Sequence, residues 1–259
     1  MSNRVALPRI GVAEHAPDRP GEFLFRGEWT VTTHPRHAQA LAAVLAAIAG
    51  YVDASGFLAI GGYFVSFMSG NSTRLGIDAL SGLNAAGLAA MLIGSFLFGV
   101  VAGALVGHVS GTRRKPATLV SSSVLLAGAA ACASAGRPGL ATATLMAAAM
   151  GALNNVFERN GEVSIGLTYM TGSIVKLGQR IAAACLGQDR FGWISYLGLW
   201  ASFVAGATAA AAAYPVVGLT ALWGCSALLF GLSAATWLAE PAPGPGSFQE
   251  ERWSRSHSE

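Results

Sequence analysis

Asp53 is the first residue to weigh, because it sits where a carboxylate is costly. Between Ala38 and Thr112 the formal charges are Asp53, Arg74 and Asp78 alone, in an otherwise apolar stretch. A carboxylate inside such a stretch has two uses: ionised, it pairs with a cation such as Arg74; protonated, it serves as a proton or cation carrier. A purely structural Asp53–Arg74 ion pair is the plainer alternative. Shortly after comes Ser69-Gly70-Asn71-Ser72-Thr73-Arg74, a polar run with a helix-weakening glycine. Backbone that leaves the helix at membrane depth must be covered by protein or line a water-filled cavity. A break at Gly70 would present free N–H and C=O groups, a common way to hold ions or polar solutes at the midplane. The alternative is a tight packing corner, in which serine and threonine hydroxyls bond back to the preceding turn.

The polar run occurs twice. Residues 66–76 (SFMSGNSTRLG) align with residues 168–178 (TYMTGSIVKLG) at an offset of 102. The second copy supplies Thr171, Gly172, Ser173 and Lys176, and at the same offset Asp53 faces Asn155. Candidate solute- or ion-binding residues are therefore Asp53, Ser69, Asn71, Thr73, Arg74, Asn155, Thr171, Ser173 and Lys176, with Gly70 and Gly172 as breaks or hinges. Arg74 and Lys176, if they face a shared site, favour an anionic or carboxylate-bearing solute. Asn154, Glu158 and Glu162 are read as interfacial, with Glu158 within reach of Lys176 or Arg180.

Around each copy the elements recur in one order. Apolar helices over 38–60 and 138–157 precede motif segments over 63–80 and 163–186. Helices over 84–108 and 192–213 follow, and helices over 117–135 and 216–239 close each half. Ser95, Gly99, Gly103 and Gly107 recur every fourth residue and share one helix face. Ser202, Gly206 and Ala210 repeat the pattern, and small residues so placed let helix backbones approach closely in lipid. Ser123 to Gly128 also matches Ser226 to Gly231.

These elements require a bilayer. Of 259 residues 53% are hydrophobic and 11% charged, with mean hydropathy +0.51; soluble domains carry about 25% charged residues. The stretch from Phe191 to Ala239 holds no charge at all. It is long enough for two crossings of roughly 20 residues each, with Pro215 marking the turn. If the motif segments do not cross, each half has three crossings and the second half is inverted, as in many secondary transporters. If they do cross, each half has four and the repeats are parallel. Six crossings with cytoplasmic termini place Arg113, Arg114, Lys115, Arg159, Lys176, Arg180 and Arg190 inside, leaving Arg74 and Arg137 outside. Eight crossings send the Arg113–Lys115 cluster outside, against the positive-inside tendency. The expectation is an all-α membrane protein with about six transmembrane helices in two inverted repeats, 38–136 and 137–239. Polar, solvated tails flank them at 1–37 and 240–259.

Several classes are excluded. The net charge of +3 comes without the clustered basic face a nucleic-acid partner needs. Cys132, Cys185 and Cys225 are far apart, and the histidines form no cluster, so no metal site is expected. H-E-x-x-H, G-x-S-x-G and nucleotide-binding glycine loops are missing; catalysis and cofactors are not expected. The first 36 residues lack the apolar core of a signal peptide.

At Gly50 to Ala54, Phe57-Leu58, Phe64 to Asn71 and Leu167 to Gly172 the chain resembles the YoaK-like family (domain of unknown function 1275) of bacterial multi-span membrane proteins. The resemblance spans about Ala38 to Ala239. It implies six spans in a bacterial cytoplasmic membrane. Asn155-Val156 departs from the Asn-Ala pair usual in that family's second motif, and the family brings no substrate. The functional expectation is a small secondary transporter or permease for a small polar or anionic solute. The rivals are a non-transporting scaffold or sensor and, less well supported, a membrane-embedded enzyme. Nothing in the sequence fixes the oligomeric state.

Overall fold

The computed structural model describes residues 36–136, 139–159, 162–163 and 165–239. The expected tails fall outside the described residues, apart from the first turn of the opening helix. Eight helices account for nearly all of what is described: α1 (Arg36–Ala59), α2 (Met68–Ser81), α3 (Leu83–Ser110), α4 (Arg114–Ser134), α5 (Leu140–Leu153), α6 (Met170–Cys185), α7 (Gly192–Val217) and α8 (Leu222–Ala239). A two-residue ladder pairs Glu158–Arg159 with Glu162–Val163.

Length and hydropathy single out four stretches able to cross a membrane: Arg36–Ala59, Asn84–Ser134, Leu140–Phe157 and Gly192–Ala239. The second and fourth run to 51 and 48 residues, and each holds two helices. The turns between those helices begin at Gly111 and Gly218, both with φ of 53°, a left-handed conformation that glycine adopts without a Cβ clash. The turn in the fourth stretch was expected at Pro215, but that residue lies within the last turn of α7. The helix needs only to end soon after a proline, and the positive-φ glycine sets where. By contrast α2 and α6 have 14 and 16 residues. At 1.5 Å per residue they reach roughly 21 and 24 Å, short of the ~30 Å hydrocarbon layer.

In lipid the apolar effect does not drive helices together, so close backbone packing must. Two crossings show how this is met. Where α1 meets α7, a Cβ on Gly50 would fall on the Phe203 carbonyl, and one on Gly206 on the Ala47 carbonyl. Where α5 meets α3, Gly151 lies against the Phe96 carbonyl and Gly99 against that of Ala148. Gly103 continues the second contact against Ala152 and Asn155, while Gly107 packs on Arg114 of the following helix. Ser95 bonds back to Met91 O at 2.8 Å, and Ser202, half-buried, begins the matching row on α7. The outer faces are apolar: Leu97, Phe98, Val101 and Leu105 of α3 are exposed, as a lipid-facing surface requires.

At the centre α4 packs against α8. Ser123 donates to Ser226 O at 2.9 Å and Ser226 donates to Ser123 O at 2.8 Å. Each hydroxyl thereby satisfies a carbonyl on the other helix, with the two Oγ atoms 3.1 Å apart.

Candidate functional site

Between α1 and α2 the chain leaves the helix over residues 60–67, and between α5 and α6 it does so again after a 3-10 turn at Asn154–Phe157. The breaks therefore lie upstream of the motif glycines, and Gly70 and Gly172, expected as breaks, sit in the first turns of α2 and α6. The local reason is a set of side chains that take over backbone groups. Asp53 Oδ1 accepts the N–H of Val65 at 2.9 Å and of Ser66 at 2.7 Å. Asn71, fully buried, accepts from Phe64 N at 3.0 Å and donates to Phe64 O at 2.6 Å. Non-helical backbone groups that would otherwise be orphaned are thus satisfied by side chains. Phe57, Phe64 and Phe67 stack over the same turn, with ring centroids 5.0 and 5.1 Å apart. A Cβ on Gly70 would strike the Phe67 ring, so glycine is what lets that aromatic group close.

The second break is held differently. Asn154 donates to Thr168 Oγ1 at 3.0 Å and accepts from Thr168 N at 3.4 Å. It therefore stands where Asp53 stands relative to Ser66. The expected partner of Asp53, Asn155, points elsewhere: its amide reaches Val100 O at 3.1 Å and ties α5 to α3. The physical reason is register. The motif segments align at 102, but the preceding helices align one residue earlier, so a single offset carried back along the helix selects the wrong asparagine. Asn154, read as interfacial, is in fact 1% exposed.

The starts of α2 and α6 meet at one cavity of about 270 Å³. Ser66, Phe67, Met68 and Ser69 line it on one side, Thr168 to Gly172 on the other, and Phe96 of α3 closes it. Of the expected site residues Ser69, Thr171 and Gly172 face this space. Asp53 lies one layer behind, through Ser66. Thr73 bonds back to Ser69 O at 3.2 Å, as Ser72 does to Met68 O at 2.8 Å. Ser173 is buried beneath the α6 start. Ser66 and Thr168 were not singled out from sequence, although both open the aligned blocks.

Arg74 and Lys176 are not among the lining residues. The Arg74 guanidinium stacks on the Tyr63 ring, 4.5 Å from its centroid. The Tyr63 hydroxyl donates to Asp78 at 2.7 Å. The Asp53–Arg74 ion pair, the plainer alternative for Asp53, is replaced by these two arrangements: the carboxylate takes backbone N–H groups and the guanidinium takes a ring. Glu158, expected to reach Lys176 or Arg180, pairs with Arg114 at the start of α4.

Comparison with known proteins agrees with a membrane chain. Residues 41–235 match the family model described as protein of unknown function (DUF1275). A UPF0700 transmembrane protein of Rhizobium meliloti (strain 1021) is 37% identical over 198 residues, covering 76% of this chain and 85% of that one. No solved structure matches. With short polar half-turns set among apolar helices and a family match over most of its length, the chain belongs to the DUF1275 family of transmembrane proteins.

Proposed function

We propose that the chain is a small permease made of two inverted halves with three crossings each, α2 and α6 being half-helices that enter the bilayer and turn back. Support comes from which helix ends meet. Ser195 at the start of α7 donates to Gln39 at the start of α1. Ser233 near the end of α8 donates to Pro116 O near the start of α4, and Arg113 stacks on Trp237 beside it. Arg114 pairs with Glu158 just past α5. Helices α7 and α8 run out and back, so all these ends share one side, the side rich in Arg and Lys and hence cytoplasmic. Helix α1 therefore leaves that side and α3 returns to it, which leaves α2 no crossing to make. The same count applies to α6 between α5 and α7. The matched Gly50/Gly151 and Gly99/Gly206 contacts, and the reciprocal Ser123–Ser226 pair, are what a two-fold relation between halves produces.

One observation carries the functional reading: the first turns of two half-helices, one from each half, line the same cavity. Half-helices meeting at depth are how transporters hold polar solutes. The solute is small and polar, and the protein sits in a bacterial cytoplasmic membrane with both termini inside. The reading assigns no catalysis and needs no cofactor. The scaffold reading draws on Asn71, Ser72 and Thr73, whose side chains bond to local backbone. Proteoliposome uptake across a panel of small solutes separates the two. Flux that disappears in Gly172→Leu, with unchanged thermal unfolding, is the expected result. Absence of flux for every solute by the native chain would overturn the permease.

A further inference from the structure

The geometry points to a groove between α1 and α7 that seats an anionic phospholipid, an acyl chain between the helices and the phosphate among arginines at the membrane surface. This is a binding function beside solute transport, and it rests on the proposed topology only for the leaflet, the cytoplasmic one. Helices α1 and α7 touch backbone to backbone at Gly50 and Gly206. Toward their starts, Ser195 donates to Gln39. Between that polar contact and the glycine crossing lies a groove of about 220 Å³, walled by Ala40 and Ala43 of α1 and by Gly198 and Leu199 of α7.

The walls are small and open. Ala40 and Gly198 are exposed, and a Cβ on Gly198 would meet nothing within 4 Å. An apolar slot open at the side of a membrane protein has hydrocarbon as its solvent, so an acyl chain occupies it. The end nearer the helix starts is polar, since the Ser195 hydroxyl and the Gln39 amide also line the groove. That is the level of a lipid's ester and phosphate groups.

Cations stand just beyond. Arg36 lies one turn before Gln39, Arg190 lies two residues before the start of α7, and both are exposed. The Trp193 indole donates to the Arg190 carbonyl at 3.0 Å and Phe191 is 70% exposed; aromatic residues so placed mark the headgroup layer. The neighbouring carboxylate, Asp189, is turned to the start of α7, whose Phe191 and Gly192 N–H groups it accepts. Two guanidinium groups at the mouth of an acyl slot complement a phosphate.

The other half of the molecule lacks the polar pair. By the register that matches Asp53 to Asn154 and Ser95 to Ser202, Gln39 falls on Leu140 and Ser195 on Leu88. Packing of the matched helices therefore does not require Gln39 and Ser195, which are reserved for one face of the membrane.

Native mass spectrometry of the full chain in mixed micelles tests the assignment, with phosphatidylglycerol, phosphatidylcholine and chain-free glycerol phosphate added in turn. One phosphatidylglycerol per chain should be retained where phosphatidylcholine is not, and glycerol phosphate should fail to displace it. Arg36→Gln and Arg190→Gln should each weaken retention about five-fold, the worth of one cation near an anionic lipid surface. Gly198→Leu fills the slot and should abolish retention while thermal unfolding in phosphatidylcholine stays native. Equal retention of the two lipids would overturn the anionic class, and displacement by glycerol phosphate would overturn the acyl slot. Native-like retention by folded Gly198→Leu would place the lipid elsewhere. Phosphatidylglycerol retained by a chain that passes no solute keeps the groove and removes the permease; flux without selective retention does the reverse.

Discussion

The two breaks that meet at the cavity solve one problem with different chemistry. Before α2, a carboxylate collects the N–H groups of Val65 and Ser66. Before α6, an amide exchanges bonds with both the backbone and the hydroxyl of Thr168. A carboxylate only accepts, so it gathers donors alone, whether backbone N–H or hydroxyl. An amide both gives and takes, and closes the hydroxyl into the fold. The first break is thus held by a group that only accepts, and the second by one that exchanges bonds in both directions. The difference teaches that one local problem, backbone leaving a helix ahead of a short second one, is met by charge in one place and by a neutral amide in the other.

The largest expected effect tests the carboxylate. Asp53→Ala orphans two buried N–H groups, at about 1–3 kcal/mol each. Asp53→Asn keeps an acceptor and should cost well under half as much. Chemical or thermal unfolding in detergent ranks the two. Equal losses would show that Asp53 acts through its charge instead of through the Val65 and Ser66 bonds.

Next come the motif glycines. At Gly70 a side chain meets the Phe67 and Phe64 rings, whereas nothing lies within 4 Å of a Cβ at Gly172. Gly70→Ala should therefore destabilise by about 1–3 kcal/mol, the range for overpacking a filled site. Gly172→Ala should change unfolding little, and helix propensity favours it. Monodispersity in detergent and the unfolding midpoint give the comparison, and matching behaviour of the two alanines would remove the asymmetry.

Smaller still is the hydroxyl pair. Thr168→Val breaks the bond with Asn154 and should cost about 1 kcal/mol, while Ser66→Ala keeps its backbone N–H on Asp53 and should cost no more than that. A larger loss from Ser66→Ala would show that its hydroxyl matters more to the carboxylate than the backbone bond does.

Much of this layout could be read from the residues. Uncharged stretches mark the bilayer, the four-residue glycine spacing marks helix faces, and the doubled motif marks its two short helices. The glycine that ends a helix is legible only through its φ, which is why Pro215 drew attention ahead of Gly218. Polar partners were harder because they depend on register to a single residue. Asn154 and Asn155 are adjacent, amide-bearing and both buried, and only the three-dimensional path decides which meets Thr168. A pairing of Asp53 with Arg74 stayed open as one alternative because sequence shows charge but not direction. Tyr63, unremarkable in the sequence, is what turns the guanidinium away. Ser66 was overlooked because its place on the cavity wall depends on the path the chain takes between α1 and α2.

The smallest effect belongs to that Tyr63 cluster, which the second half does not repeat. By the motif offset, Ile165 stands at the place of Tyr63 and Arg180 at the place of Asp78. Tyr63→Phe keeps the ring under Arg74 and removes only the bond to half-buried Asp78. Its cost should be near the low end for a hydrogen bond, about 0.5 kcal/mol. Tyr63→Ile copies the second half and removes the cation–π contact as well, adding about 0.5–1 kcal/mol. Because neither residue lines the cavity, both variants should leave solute flux unchanged. A fall in flux, with the fold intact, would bring Arg74 back into the site and make its charge part of recognition.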